Sequence, residues 1–308
     1  MVRKRILDPA PVLEEAVLLQ SLRDAGIKEV HAKAVFGYAL SEGMRKGYSA
    51  GFEGFEGSPY HAYTPAHLTP LLHSKFEVLT SEVVEVKRSE DGTIKLLVRL
   101  QDGKMVESVI ISHAGVGGTH PRTTLCVSSQ VGCQMACTFC ATGTMGLVGD
   151  LWAGEILEQV LHASRLASIR NIVFMGMGEP LNNYDAVLAA IRGMSDSRLF
   201  GLSPRHITLS TVGVVPRMRQ LTRDAPETQL ALSLHAPNQA LRNQIVPSAR
   251  AYRLDKLMEA LDGHLQAGEG RKSQRALGRR ALIEYVMLAG VNDSEENGRE
   301  LGALLEVR

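Results

Sequence analysis

The sequence predicts an α/β protein: a partial (β/α) barrel preceded by a small α+β accessory domain. Three observations carry this. From residue 122 onward, short β-rich runs alternate with helical stretches. Residues 76–112 alternate apolar and polar positions around two Asp-Gly pairs. Residues 12–47 carry apolar residues three and four positions apart. The boundary is drawn at residue 115, giving an accessory domain over 1–115 and a core domain over 116–308.

In chain order, "PVLEEAVLLQSLRDAG" and "EVHAKAVFGYALSEG" predict two helices, each ending in Gly. "YSAGFEGFEGSPYH", residues 48–61, reads as a surface loop. The stretch "FEVLTSEVVEVKRSEDGTIKLLVRLQDGKMVESVIIS" predicts a three-strand antiparallel meander, with turns at Asp91-Gly92 and Asp102-Gly103. "HAGVGGTHPR" reads as a linker. Strands then fall at "TTLCVSS", "RNIVFMG", "RHITLST", "TQLALSLH" and "ALIEYVML". Helices fall between them at "AGEILEQVLHASRLA", "YDAVLAAIRGM", "PRMRQLTRD" and "LDKLMEALDGHLQ". Repeated β-then-α gives a parallel sheet with right-handed crossovers. Strands this apolar are buried on both faces. Five units fall short of a closed eight-fold barrel. "SEENGRELGALLEVR" is a last helix with no strand after it, so the chain is expected to stop one unit early, as a fragment or as a short form.

Composition sets outer limits. Hydrophobic residues make up 44% and charged residues 22%, enough for a sizeable core. The net charge of +1 argues neither for nor against a nucleic-acid partner, so any basic surface must be local. No run approaches the roughly 18 apolar residues of a membrane span. The N-terminus is not a secretory signal. A cytoplasmic setting is expected, with an organelle matrix as the alternative, and there clustered cysteines serve metals more often than disulfides.

Three of the four cysteines lie in "GCQMACTFCATG", residues 132–143, spaced Cys133-x3-Cys137-x2-Cys140. Three thiolates on a tight loop suit a soft metal centre. Structural zinc needs a fourth ligand, which Cys126 would supply. An iron–sulfur cube with three cysteines leaves one iron open to a small molecule. Cys126 lies in a strand and the other three share a loop, which favours the cube. The remaining strand ends carry "GMGEP" (Gly176 to Pro180), "STVGV" from Ser210, "SLHAPN" from Ser233 and "GVND" with Asn292. Singly, each reads as a turn, a structural histidine or a helix cap. Together they form a ring at the carboxyl ends of parallel strands, where barrels bind ligands.

"TLCVSSQVGCQMACTFCATG", "MGMGEPLNN", "ITLSTVGVVP", "LALSLHAPN", "IVP" and "IEYVML" resemble the RlmN/Cfr family of radical S-adenosylmethionine (SAM) RNA adenine methyltransferases. The likeness runs from about residue 70 to the last residue. It implies a partial barrel of the radical SAM type. It implies that Cys133, Cys137 and Cys140 hold a [4Fe–4S] cluster whose fourth iron chelates SAM. Reduction by a donor such as flavodoxin or ferredoxin then splits SAM to a 5′-deoxyadenosyl radical. By the same likeness, Gly178 and Glu179 contact the methionine amino group, and Ser210, Ser233, Leu234, His235 and Asn292 complete the SAM contacts. Cys126 takes a proton from the RNA–enzyme adduct and resolves it, and Glu107 matches the family's proton acceptor. The implied substrate is an adenine ring carbon, carbon 2 ahead of carbon 8, in large-subunit ribosomal RNA, with transfer RNA as a second substrate. A monomer is expected.

The family also methylates a cysteine near its C-terminus, and here no cysteine follows Cys140. A short form would bind cluster and SAM without completing methyl transfer. "GEGRKSQRALGRRAL", residues 268–282, offers Arg271, Lys272, Arg275, Arg279 and Arg280 to RNA phosphates or is a solvated insertion. The basic residues 3–5 carry less information. A zinc-stabilised RNA-binding module is the non-catalytic rival.

Overall fold

The computed structural model describes residues 5–114, 121–267 and 280–306. Helices α1 (Glu15–Asp24) and α2 (Ala32–Lys46) form where the apolar spacing predicts them. Residues 48–61 are a mostly exposed loop, as expected, but one anchored by buried side chains. Phe52 and Phe55 are buried, their ring centroids 5.9 and 5.2 Å from that of Tyr38 on α2. The area they remove from water anchors the loop despite its glycines. Helix α3 (Leu68–Lys75) follows, unpredicted. A two-residue strand β1 (Ala10–Pro11) pairs in parallel with β2 (Phe76–Glu77).

The meander forms as expected from β3 (Glu82–Arg88), β4 (Ile94–Arg99) and β5 (Met105–His113). It does not stand apart. β5 pairs antiparallel with β6 (Arg122–Cys126), aligning His113 with Arg122 and Val109 with Cys126. The boundary expected at residue 115 therefore falls between two hydrogen-bonded strands. Residues 115–120 of the expected linker lie outside the described residues. One apolar core runs through both halves, from Val12 through Ile110 to Leu261.

Beyond β6 the chain makes a hairpin of β7 (Gln130–Cys133) and β8 (Gly146–Asp150), with one helical turn, α4 (Ala141–Thr144), inside it. Then come α5 (Ala153–Ser164), β9 (Asn171–Phe174), α6 (Tyr184–Ser195), β10 (Ile207–Thr211), α7 (Val215–Asp224) and β11 (Gln229–Ser233). They are followed by α8 (Gln239–Ile245), α9 (Leu254–Ala267), β12 (Leu282–Glu284) and α10 (Glu295–Glu306). The main sheet has eight strands in the order β12-β11-β10-β9-β6-β5-β4-β3. Its first five are parallel and in sequential order, as a partial barrel requires. Sequence periodicity missed α8, whose seven residues are too few to show a period; Asn238 caps it, accepting the Leu241 N–H at 3.0 Å. Of the basic stretch, Arg271, Lys272, Arg275 and Arg279 lie outside the described residues. No helix among the described residues is long and apolar enough to cross a membrane.

Helix α5 joins the two halves through polar groups. Glu155, Glu158, Gln159 and His162 on it are all buried. Glu158 accepts from the Thr80 N–H (2.8 Å) and hydroxyl (2.9 Å) and from the Ser81 hydroxyl. Gln159 accepts from Ser108 Oγ and the Ser128 N–H, at 2.8 and 2.9 Å. Arg5 is buried between Glu155 (2.6 Å) and Asp102 (2.7 Å), so the uninformative-looking N-terminus supplies a core ion pair.

Two predictions follow from this network. Glu158→Ala leaves the Thr80 N–H and hydroxyl buried without an acceptor and Ser81 with His162 alone, and is expected to lower unfolding free energy by about 3–5 kcal/mol in urea titrations. Burial pushes His162 down from 6.5 to about 4, so the folded chain keeps it neutral. Its contribution is complete above pH 6.5 and is lost as pH falls through 4, because the unfolded chain takes up the proton first. His162→Gln is expected to remove about 3 kcal/mol of the stability difference between pH 7 and pH 4, measured by the same titrations at both pH values.

Candidate active site

The carboxyl ends of the parallel strands and the cysteine loop close around one cavity of about 240 Å³. Cys133, Cys137 and Cys140 line one side. Gly178, Glu179, Ser210, Ser233 and His235 line the rest, with Glu284.

Cys133 ends β7, and the loop beyond it is pinned at both ends. Gly132 has φ +75°, and a side chain there would collide with the Gly146 carbonyl oxygen across the hairpin. Only glycine lets β7 and β8 meet. At the far side the Thr138 N–H donates to Ile245 O of α8 at 2.9 Å. All four cysteines are free thiols. Burial, and then the neighbouring Cys133 and Cys140, push the Cys137 thiol up to about 12. Three thiols this close resist joint ionisation unless a cationic centre neutralises them.

Glu179 is the buried acid of the site, 3% exposed and pushed up to about 6 by burial. Its Oε1 accepts the Leu181 N–H (3.0 Å) and its Oε2 the Val212 N–H (2.9 Å). The Thr211 side chain bonds to the carboxylate as well, and the lone pair that remains is available to a donor in the cavity. Its own N–H donates to Gln130 Oε1 at 2.8 Å. Gly178 makes that approach possible: φ is +102°, and a Cβ would stand 2.5 Å from Gln130 Cβ.

Opposite, the Ser210 and Ser233 hydroxyls lie 3.1 Å apart, and both reach Glu284 Oε2, at 3.0 and 2.8 Å. His235 takes φ +58°. Its Nδ1 accepts the Val286 N–H at 3.2 Å, so its ring proton belongs on Nε2. Burial pushes it down to about 4 and keeps it neutral.

The remaining predicted residues do not line the cavity. Leu234 is buried and contributes backbone, its N–H donating to Glu284 O at 3.1 Å. Asn292 is a clamp: its amide donates to His235 O (2.7 Å) and Val286 O (2.8 Å) and accepts the Leu288 N–H (2.6 Å). It is not the helix cap that its sequence suggests, since Ser294 Oγ accepts the Asn297 N–H at the start of α10. Cys126 sits at the end of β6, paired with Val109 and Val173, and burial pushes its thiol up to about 11. Glu107 lies on β5, half exposed and bonded to Lys95 at 2.8 Å. Glu284 and Arg242 were missed. A carboxylate inside the apolar run "ALIEYVML" is the signal for Glu284, because a buried acid needs partners. Arg242 lies on the unpredicted α8.

Residues 127–297 match the Radical SAM superfamily. "Probable dual-specificity RNA methyltransferase RlmN 2" of Protochlamydia amoebophila is 37% identical over 94% of this chain and 75% of its own length. The chain belongs to the RlmN/Cfr family of radical SAM proteins. "Ribosomal RNA large subunit methyltransferase N" of Nitrosopumilus maritimus is 43% identical over 70% of this chain, which spans 61% of that protein. Three further relatives named RlmN are spanned over 56–63% of their length. The crystal structure of a radical SAM methyltransferase from Sphaerobacter thermophilus superposes with a TM-score of 0.81 at 34% identity, covering 96% of this chain and 82% of that one.

The family's cofactors are a [4Fe–4S] cluster and SAM, and the donor set fits them. Among the described residues no three His, Cys, Asp or Glu side chains converge on one ion. A cube takes each thiolate on a different iron, so its ligands stand farther apart. The acid and hydroxyls across the cavity suit a polar cationic ligand. Gly178→Ala is expected to displace Gln130 and lower unfolding free energy by about 1–3 kcal/mol in urea titrations.

Proposed function

We propose that the chain is an S-adenosylmethionine-dependent RNA methyltransferase. It methylates an adenine ring carbon, carbon 2 in preference to carbon 8, in large-subunit ribosomal RNA, with transfer RNA as a second substrate. The observation that carries this is that Cys133, Cys137 and Cys140 line one cavity together with Glu179, Ser210 and Ser233. The names of the relatives, which are RNA methyltransferases, support the substrate class. When bound, cluster and SAM supply one-electron chemistry that reaches a ring carbon too inert for polar methyl transfer.

The chain's own groups have these roles. The three thiolates hold iron. Glu179 would receive the cofactor's ammonium on its remaining lone pair, aimed by Gly178. His235 offers Nε2–H as a donor. Ser210 and Ser233, held by Glu284, present hydroxyl oxygens. Leu234 and Asn292 act through the backbone, fixing the 233–235 turn and the 286–292 loop. Cys126, which burial keeps protonated at rest, would have to give up that proton before its thiolate takes one from the RNA adduct and resolves the link, and Glu107 accepts a proton once Lys95 releases it. A cytoplasmic monomer served by a flavodoxin- or ferredoxin-type donor completes the reading.

On a second reading the chain binds cluster and SAM without completing transfer. Anaerobic reconstitution with SAM, dithionite and a large-subunit RNA fragment separates the two by mass spectrometry. The first reading expects 5′-deoxyadenosine together with 2-methyladenosine in the RNA. Deoxyadenosine with unmodified RNA gives the second, and neither product refutes both. Glu179→Gln is expected to weaken SAM binding about tenfold or more in calorimetry, the effect of losing one charged hydrogen bond.

A further inference from the structure

Arg242 of α8 is 1% exposed, yet among the described residues it forms no ion pair. Its guanidinium instead donates to three carbonyls: Nε to Leu234 (3.0 Å), and Nη2 to Val212 (2.5 Å) and Ser233 (3.3 Å). Those carbonyls lie just beyond β10 and at the end of β11. One is next to the Val212 N–H that holds Glu179, and the others flank the Ser233–His235 turn. The same helix ends at Ile245, whose carbonyl takes the Thr138 N–H of the cysteine loop. Arg242 is thus fastened between the cofactor strands and the cluster loop.

Burying a cation without an acid is costly. Burial pulls Arg242 down to about 10, which still leaves it charged at neutral pH, and Cys137 opposes that pull. The other ionisable groups facing this region are Glu179, Glu284, the three thiols and His235, whose imidazole is kept neutral by burial and by Arg242 itself. Among these described groups Arg242 is the one that carries a positive charge. Hydrogen bonding to three carbonyls engages Nε and Nη2 but does not neutralise the charge.

We propose that Arg242 is a positioning residue for the cluster, a fixed buried cation that raises the cluster's one-electron reduction potential. Uptake of one electron from a low-potential donor adds one negative charge at the three-thiolate site and neither makes nor breaks a bond. A nearby fixed cation favours that added charge. The inference rests on the cysteines holding a cluster, and it does not depend on RNA methylation.

The test is a potentiometric titration of the reconstituted chain without SAM or RNA, read by electron paramagnetic resonance, beside urea unfolding. Arg242→Gln and Arg242→Met are expected to lower the reduced-to-oxidised ratio at fixed potential by about tenfold, a shift of about 59 mV for one electron. Arg242→Lys keeps the charge and loses the fork, so it is expected to unfold more easily while holding the ratio within about twofold. Loss of stability with an unchanged potential in the neutral variants would mean a bracket only and overturn the proposal. If neither neutral variant retains iron, the Lys variant decides: an altered potential there contradicts the proposal, and an unaltered one supports it. A parent chain that takes up no iron refutes the cluster reading and this inference with it.

Discussion

A single buried carboxylate fixes three segments that are distant in sequence. Glu179 accepts N–H groups from its own turn and from the loop after β10, while its backbone N–H is held by Gln130 beside the cysteine hairpin. Charge-assisted hydrogen bonds of this kind are short and directional, so they set positions rather than merely filling space. The desolvation that makes Glu179 a reluctant anion also makes it a strong partner for a cationic ligand. The rest of the cavity is arranged around that point. The cysteine loop lies on one side, and the paired hydroxyls of Ser210 and Ser233 lie on the other.

The scaffold below repeats the device with different residues. Helix α5 carries Glu155, Glu158, Gln159 and His162 into the interior, where each finds a partner in the N-terminal half, the meander or the turn after β6. A helix buried on this scale would ordinarily be apolar all round. Its polar groups specify which strands it meets, at the expense of tolerance to substitution, since removal of one partner strands the others. The meander and the parallel strands accordingly share one sheet and one core.

The parallel core was legible because its strands are apolar, separated by periodic helices and followed by polar turns. All five strands and the four intervening helices appear where the pattern puts them. The seam was placed at residue 115 on a glycine-rich connection, which looks the same in sequence whether it joins two domains or two neighbouring strands, and β5 and β6 on either side of it pair. Phe52 and Phe55 hid in a glycine-rich stretch whose aromatic content was the better guide to burial. The cavity's cysteines, Glu179, Ser210, Ser233 and His235 were legible as motifs at strand ends. Asn292 was legible as important, but its work is to clamp two loops, which no local pattern reveals. Glu284 and Arg242 were not singled out, because a lone charge in a strand or short helix has meaning only once its neighbours in space are known.

The most direct test is the metal and sulfide content of the anaerobically purified chain, followed by its paramagnetic resonance spectrum with and without SAM. About four irons and four sulfides per chain are expected, with a reduced-state signal that changes when SAM is added and disappears in Cys137→Ser. One zinc per chain and no sulfide, or a cluster whose signal ignores SAM, would contradict the account.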